Sequence, residues 1–388
     1  MRTVHPARIR LAAWRAIVVA AAAGALTVVG ASAVAPADGS ANSQCASPVT
    51  PPAPRAAQDA RRGLIVGLST VLGVNGGQRA CNLLAAARAS GASELREDLD
   101  WTVVSPQRGV RNWTPFDRVV RQAAQWGLVV LPVLDGRPAW IRNAADRRRQ
   151  FALLTADMAA RYGPGGTFWR ANPSLARSAP VWFELGNQPY VPGPNRMSAL
   201  DYARLIVASV QAGRRANPAA RFLTEATDVY QRRNGRAAYW VDDLFAARRN
   251  LGRYVDAFAV HPYANGPPAA YNPHNRRFQV GRVEDIHARI ARHDRTPPPM
   301  WITELGWSTC IGQPGCVTLD QQAADITALF KLARTRWASY LRAVFIFSYT
   351  QPASLATPPG KRDGYGLVDA NLRPKPALAA FQAAASRP

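Results

Sequence analysis

The residues of this chain best suited to chemistry fall in two short stretches. In Trp301-Ile302-Thr303-Glu304-Leu305-Gly306-Trp307 a carboxylate closes an apolar run flanked by two indoles. In Phe183-Glu184-Leu185-Gly186-Asn187-Gln188-Pro189-Tyr190 a second apolar run ends in two neighbouring amides. A carboxylate placed like Glu304 can act as a nucleophile. An amide such as Gln188 can hydrogen-bond but cannot move a proton at neutral pH. A reaction that divides nucleophilic attack and proton transfer between two carboxyl groups would therefore be half-equipped here.

Elements that could position these residues follow from the hydrophobic pattern. Short apolar runs alternate with longer amphipathic ones, the βαβα signature of a parallel sheet or barrel. Eight strands are predicted, at Leu64–Ser69, Glu94–Asp98, Leu128–Leu134, Val181–Glu184, Phe222–Thr224, Ala257–Val260, Trp301–Glu304 and Val344–Ser348. Thr114-Pro115-Phe116-Asp117 predicts a helix capped by Thr114, with Phe116, Val119, Val120, Ala123 and Ala124 on one face and Gly127 at its end. Ser198 with Asp201, and Thr318 with Gln321, read as further helix starts. The expected fold is an α/β chain forming one (β/α)8 TIM barrel over residues 61–388. No Gly-x-Gly-x-x-Gly follows a strand, which removes the main nucleotide-binding alternative.

Barrel chemistry sits at the C-terminal strand ends. Arg96, Asp98 and Trp101 fall there, as do Asp135, Arg137, Trp140, Asn187, Gln188, Glu225 and Asp228. His261, Tyr263, Glu304, Trp307, Phe347 and Tyr349 complete the set. Carboxylates, an arginine and flat rings suit a sugar, whose hydroxyls need hydrogen bonds and whose apolar faces stack on aromatics. Trp101, Trp140 and Trp307 fit either a core or a sugar platform, and His261 fits a hydrogen-bonded scaffold better than a ligand. Glu184 shares strand parity with Gln188, but four residues of strand would set it roughly 13 Å deeper. It reads as a packed, paired acid.

Residues 63 to 382 resemble the glycoside hydrolases of clan A, and family 39-like barrels in particular. The resemblance implies retaining cleavage of O-glycosidic bonds, with two carboxyl groups about 5–5.5 Å apart. It matches Glu304 to the nucleophile, Asn187 to the asparagine that binds the hydroxyl beside the reacting carbon, and Gln188 to the acid/base position. It likewise matches Arg96 to the arginine supporting the nucleophile and His261-Pro262-Tyr263 to the motif that brings a tyrosine close to it. Trp140, Trp307 and Tyr349 are expected to touch substrate. Phe347 stands where a tryptophan platform is common. With Gln188 unable to donate, either Glu225, Asp228 or Asp135 replaces it, or the substrate carries a leaving group that departs without protonation. The reading is a glycosidase or transglycosylase; the alternative is a carbohydrate-binding pseudoenzyme of the same fold. No metal or other cofactor is expected, and the partner is an oligo- or polysaccharide.

The N-terminus points to export. Arg2, Arg8, Arg10 and Arg15 precede or open an uncharged run to Ala35, with Ala31-Ser32-Ala33 as a cleavage site. The run is also long enough to be retained as a membrane anchor. Residues 36–60, rich in Pro, Ala and Ser, read as a poorly ordered linker. An exported chain with four cysteines is expected to pair them, Cys310 with Cys316 across a turn-rich loop and Cys45 with Cys81. A zinc site lacks the paired spacing it would need. The formal charge of +23 is nearly all arginine and is dispersed along the chain. Compositional bias explains it better than an anionic partner, and no nucleic-acid-binding motif accompanies it.

Overall fold

The computed structural model describes residues 63–386 apart from 70–71, 73–77, 226–227, 233, 265, 269–278, 311–314, 351–363 and 370. The N-terminal segment, the linker and Cys45 lie outside the described residues. The described residues form ten strands: β1 (Ile65–Ser69), β2 (Glu94–Asp100), β3 (Val129–Asp135), β4 (Trp182–Leu185), β5 (Arg221–Glu225), β6 (Val229–Gln231), β7 (Ala237–Tyr239), β8 (Ala257–Val260), β9 (Met300–Leu305) and β10 (Leu341–Phe347). Eight of them close a parallel barrel in the order β1-β10-β9-β8-β5-β4-β3-β2. All eight predicted strands are present, with ends displaced by a few residues. The remaining two form an antiparallel hairpin after β5. Asn234-Gly235 between them was the available sequence signal for it.

Helices cover the barrel because each carries an apolar stripe that the strands bury. The helix Thr114–Gln125 buries Phe116, Val119, Val120, Ala123 and Ala124. Thr114 is its first helical residue rather than its cap; Trp113 holds the cap position and makes no side-chain capping bond. Ser198 and Thr318 do cap their helices, accepting from the backbone N–H of Asp201 and Gln321. Among the described residues no helix is long and apolar enough to cross a membrane.

Inside the barrel, the floor is an apolar plug of Ile65, Leu131, Leu223, Ala257, Trp301, Ala343 and Phe345. Above it the inward positions become polar, because strand parity carries Leu131 to Asp135, Leu223 to Glu225 and Ala257 to His261. Cys310 and Cys316 form a disulfide beyond β9. Cys81 is also disulfide-bonded, and Cys45 was its expected partner.

Candidate active site

Glu304 reaches the barrel mouth through a local irregularity. Val344 and Ile346 of β10 pair with Ile302 and Leu305 of β9, so β9 carries one extra residue there. The resulting bulge lets neighbours Thr303 and Glu304 both face inward, where plain alternation would send one of them out. Gly306 follows because nothing larger fits: a Cβ there would lie 1.9 Å from the Phe347 carbonyl oxygen. The β4 end is bent by a different device. Gly186 has φ +90° and packs against the Tyr202 ring, and Gln188 itself has φ +43°. Tyr202 anchors the bend by donating its hydroxyl to the Leu185 carbonyl at 2.5 Å.

Arg96 organises the carboxylates. Its Nε and Nη2 donate to Glu184 at 2.7 and 3.1 Å, its Nη1 to Glu304 Oε1 at 2.5 Å and its Nη2 to Asn187 Oδ1 at 3.2 Å. Burial pulls this guanidinium's pKa down, but Glu184 and Glu304 outweigh it and hold the pKa well above its usual value. The other oxygen of Glu304 accepts the Tyr263 hydroxyl at 3.0 Å. Burial, followed by the charge of Glu304, keeps that phenol protonated far beyond its ordinary range. Glu304 is thus held by a donor on each oxygen while remaining partly open to the mouth.

His261 lies behind Glu304, fully buried. Desolvation first, then Arg96, lowers its pKa to about 3, so the imidazole is neutral. One proton arrangement satisfies its contacts. Gln188 Nε2 donates to Nδ1 at 3.2 Å, Nε2–H faces Thr303 Oγ1 at 2.9 Å, and Thr303 donates to Glu184 at 3.2 Å. The Gln188 side chain is therefore tied back to the histidine by its NH2 group. Glu184 belongs to this same cluster, 3.9 Å from His261. The roughly 13 Å depth expected for it fails because the strand ends at Leu185 and the backbone turns at Gly186.

The three proposed replacement acids are each occupied or sealed. Asp228 is clamped by Arg282 through Nε at 2.6 Å and Nη2 at 2.8 Å. Asp135 accepts from Asn195 at 3.0 Å and from the backbone of Gly136 and Asn187. Glu225 has no exposed surface. Burial, followed by the charge of Glu184, raises its pKa well above the usual carboxyl range. Arg282 was not singled out from the sequence, yet it also donates to the Tyr263 carbonyl at 2.6 Å and so fixes the segment bearing His261 and Tyr263. Arg282→Met would strand a buried carboxylate, a change that typically costs about 3–5 kcal/mol. The urea midpoint should fall accordingly.

Most of the other aromatics expected near substrate are buried. Trp307 is 2% exposed, with its indole N–H on the Gly266 carbonyl, and Tyr349 is 4% exposed against Leu72, Leu84 and Leu95. Trp101 is fully buried. Trp140 is half-buried, donates to the Ser105 carbonyl at 2.8 Å and carries the Arg108 guanidinium over its ring at 4.9 Å. The rings beside Glu304 are instead Tyr263, Phe347 and Tyr365, all half-buried and packed edge to face at 5.5–6.2 Å. Tyr365 was missed; its signal was a lone tyrosine between Gly364 and Gly366.

No protein-family profile and no curated protein sequence matches the chain. Solved structures do. A family 39 glycoside hydrolase from Bacteroides cellulosilyticus is 17% identical, with a TM-score of 0.54 over 84% of this chain and 64% of its own. The chain thus spans less than two thirds of that enzyme's length. A family 39 β-xylosidase from Caulobacter crescentus is also 17% identical, with a TM-score of 0.57 over 83% of this chain and 70% of its own. A xylanase from Thermotoga maritima is 14% identical, with a TM-score of 0.58 over 86% of this chain and 98% of its own. This chain shares the fold of these glycoside hydrolases, which here is a closed barrel of eight parallel strands.

Proposed function

We propose that the protein is an exported retaining glycosidase or transglycosylase acting on O-glycosidic bonds, with Glu304 as nucleophile. The observation that carries this reading is the double hold on Glu304, by Arg96 on one oxygen and Tyr263 on the other, at a strand end in the barrel mouth. Such a carboxylate has a fixed orientation toward a reacting carbon, and its donors can follow the charge as it is consumed and released. In this reading Asn187, whose side chain accepts from Arg96, binds a hydroxyl near that carbon. Family 39 relationship and export belong to this proposal. Export rests on the N-terminal segment and the cysteine usage, with secretion or anchoring on the outer membrane face as its two forms.

A second reading is favoured by one observation, the amide at Gln188: a carbohydrate-binding protein that retains the cleft without turnover. Activated aryl glycosides separate the two. The enzyme reading predicts their cleavage with the first-formed sugar keeping its anomeric configuration by NMR. Binding without cleavage supports the second reading, and inversion removes Glu304 as nucleophile.

A further inference from the structure

If the reading above holds, a proton donor for unactivated leaving groups has to come from a residue other than Gln188, and the described carboxyls narrow the choice. Asp228 is consumed by Arg282, Asp135 by three donors, and Glu225 is sealed. Glu184 is bound to Arg96 and Thr303 and has no exposed surface. Asp98 differs from all of them. It lies two residues beyond Arg96 on β2, with the same inward parity, and pairs in register with Val133 and through it with Glu184. Yet its side chain is exposed, in contrast to the buried Arg96 and Glu184 around it. An inward-facing residue that meets solvent marks the open floor of the cleft. No hydrogen bond or ion pair ties Asp98 to another described residue.

We propose that Asp98 supplies the acid/base function, making it the catalytic partner of Glu304. In the first step Glu304 forms a bond to the anomeric carbon as the bond to the leaving oxygen breaks, and the Asp98 carboxyl proton passes to that oxygen, releasing an alcohol. In the second, Asp98 as carboxylate removes a proton from an incoming water or acceptor hydroxyl. That oxygen bonds to the anomeric carbon, and Glu304 leaves as carboxylate. Atoms and protons balance over the cycle without another reactant.

The surroundings suit a proton carrier. Although the residue keeps exposed surface, the cleft walls around it limit its hydration and raise Asp98 to about 6, with Arg96 opposing the rise and Asp135, Glu304 and Glu184 adding to it. A group with that affinity holds its proton in mildly acidic solution and can still release it.

The test is a leaving-group series of aryl glycosides, run on the full chain with Asp98→Asn and, for comparison, Glu225→Gln. Asp98→Asn is expected to lower kcat/KM by about 10²-fold or more on poor leaving groups while leaving kcat/KM for activated aryl glycosides nearly unchanged, because only the bond-breaking step depends on the leaving group. It should also remove the fall in wild-type kcat/KM above about pH 6. A rise in KM alone would make Asp98 a sugar-binding residue and overturn the proposal. So would an equal loss across the series, no effect, or the leaving-group signature in Glu225→Gln instead. If wild type cleaves activated glycosides, each of those outcomes counts against Asp98 alone. If it cleaves none, the glycosidase reading falls and Asp98 with it.

Discussion

Glu304→Gln should abolish turnover of every glycoside the protein cleaves, including those with the best leaving groups. The amide keeps nearly the same shape: its oxygen can accept from Arg96 and its NH2 can donate to the Tyr263 hydroxyl oxygen, in place of the two bonds that hold the carboxylate at 2.5 and 3.0 Å. It lacks the negative charge needed to attack carbon. Removal of a covalent nucleophile has cost up to about 10⁶-fold in other enzymes, so a loss of at least about 10⁴-fold is expected here. Steady-state kinetics on an activated aryl glycoside reads the loss, and circular dichroism checks the fold. Arg96 would lose one anionic partner but keep Glu184, so folding should survive. Residual activity within tenfold of wild type would remove Glu304 from the nucleophile position.

Gln188→Glu should act in the opposite direction and selectively. A carboxyl at this position would sit beside neutral His261 and near the Glu304 carboxylate, whose charge, together with the burial of the site, favours its protonated form. Acid–base assistance is typically worth about 10²–10⁴-fold. Poor leaving groups should therefore gain up to that range, less whatever Asp98 already supplies, and activated ones should gain little. The same change should restore activity to Asp98→Asn. Lower activity on poor leaving groups would show a native mechanism built around the amide.

The fold was largely legible because each barrel strand is a compact apolar run bounded by polar turns, and parity alone carries Arg96, Glu184 and His261 to one interior. Glu304 illustrates what parity cannot supply. Its inward direction depends on an extra residue in β9, and that register is set by pairing with β10. The bend at Gly186 similarly brings Gln188 back to His261, a contact that extending β4 by strand geometry would not place. Trp307 and Tyr349 looked like platforms because aromatic residues at strand ends serve cores and sugars equally well, and only tertiary packing distinguishes the two. Asp228 looked like a free acid because its partner Arg282 lies 54 positions away. Asp98 was visible as part of the polar set, but the absence of a bonded partner for it among the described residues emerges only once the neighbouring carboxyls have been placed.

The claim on which the rest depends is that Glu304 bonds to the sugar. A 2-fluoro-glycoside with an activated leaving group slows release of the glycosyl-enzyme more than it hinders its formation when the leaving group is good, so the covalent species accumulates. Peptide mass mapping of the protein incubated with such reagents should show one added fluorosugar on the peptide containing Glu304, and none in Glu304→Gln. Turnover of the parent glycoside accompanied by labelling at another carboxylate would contradict the assignment.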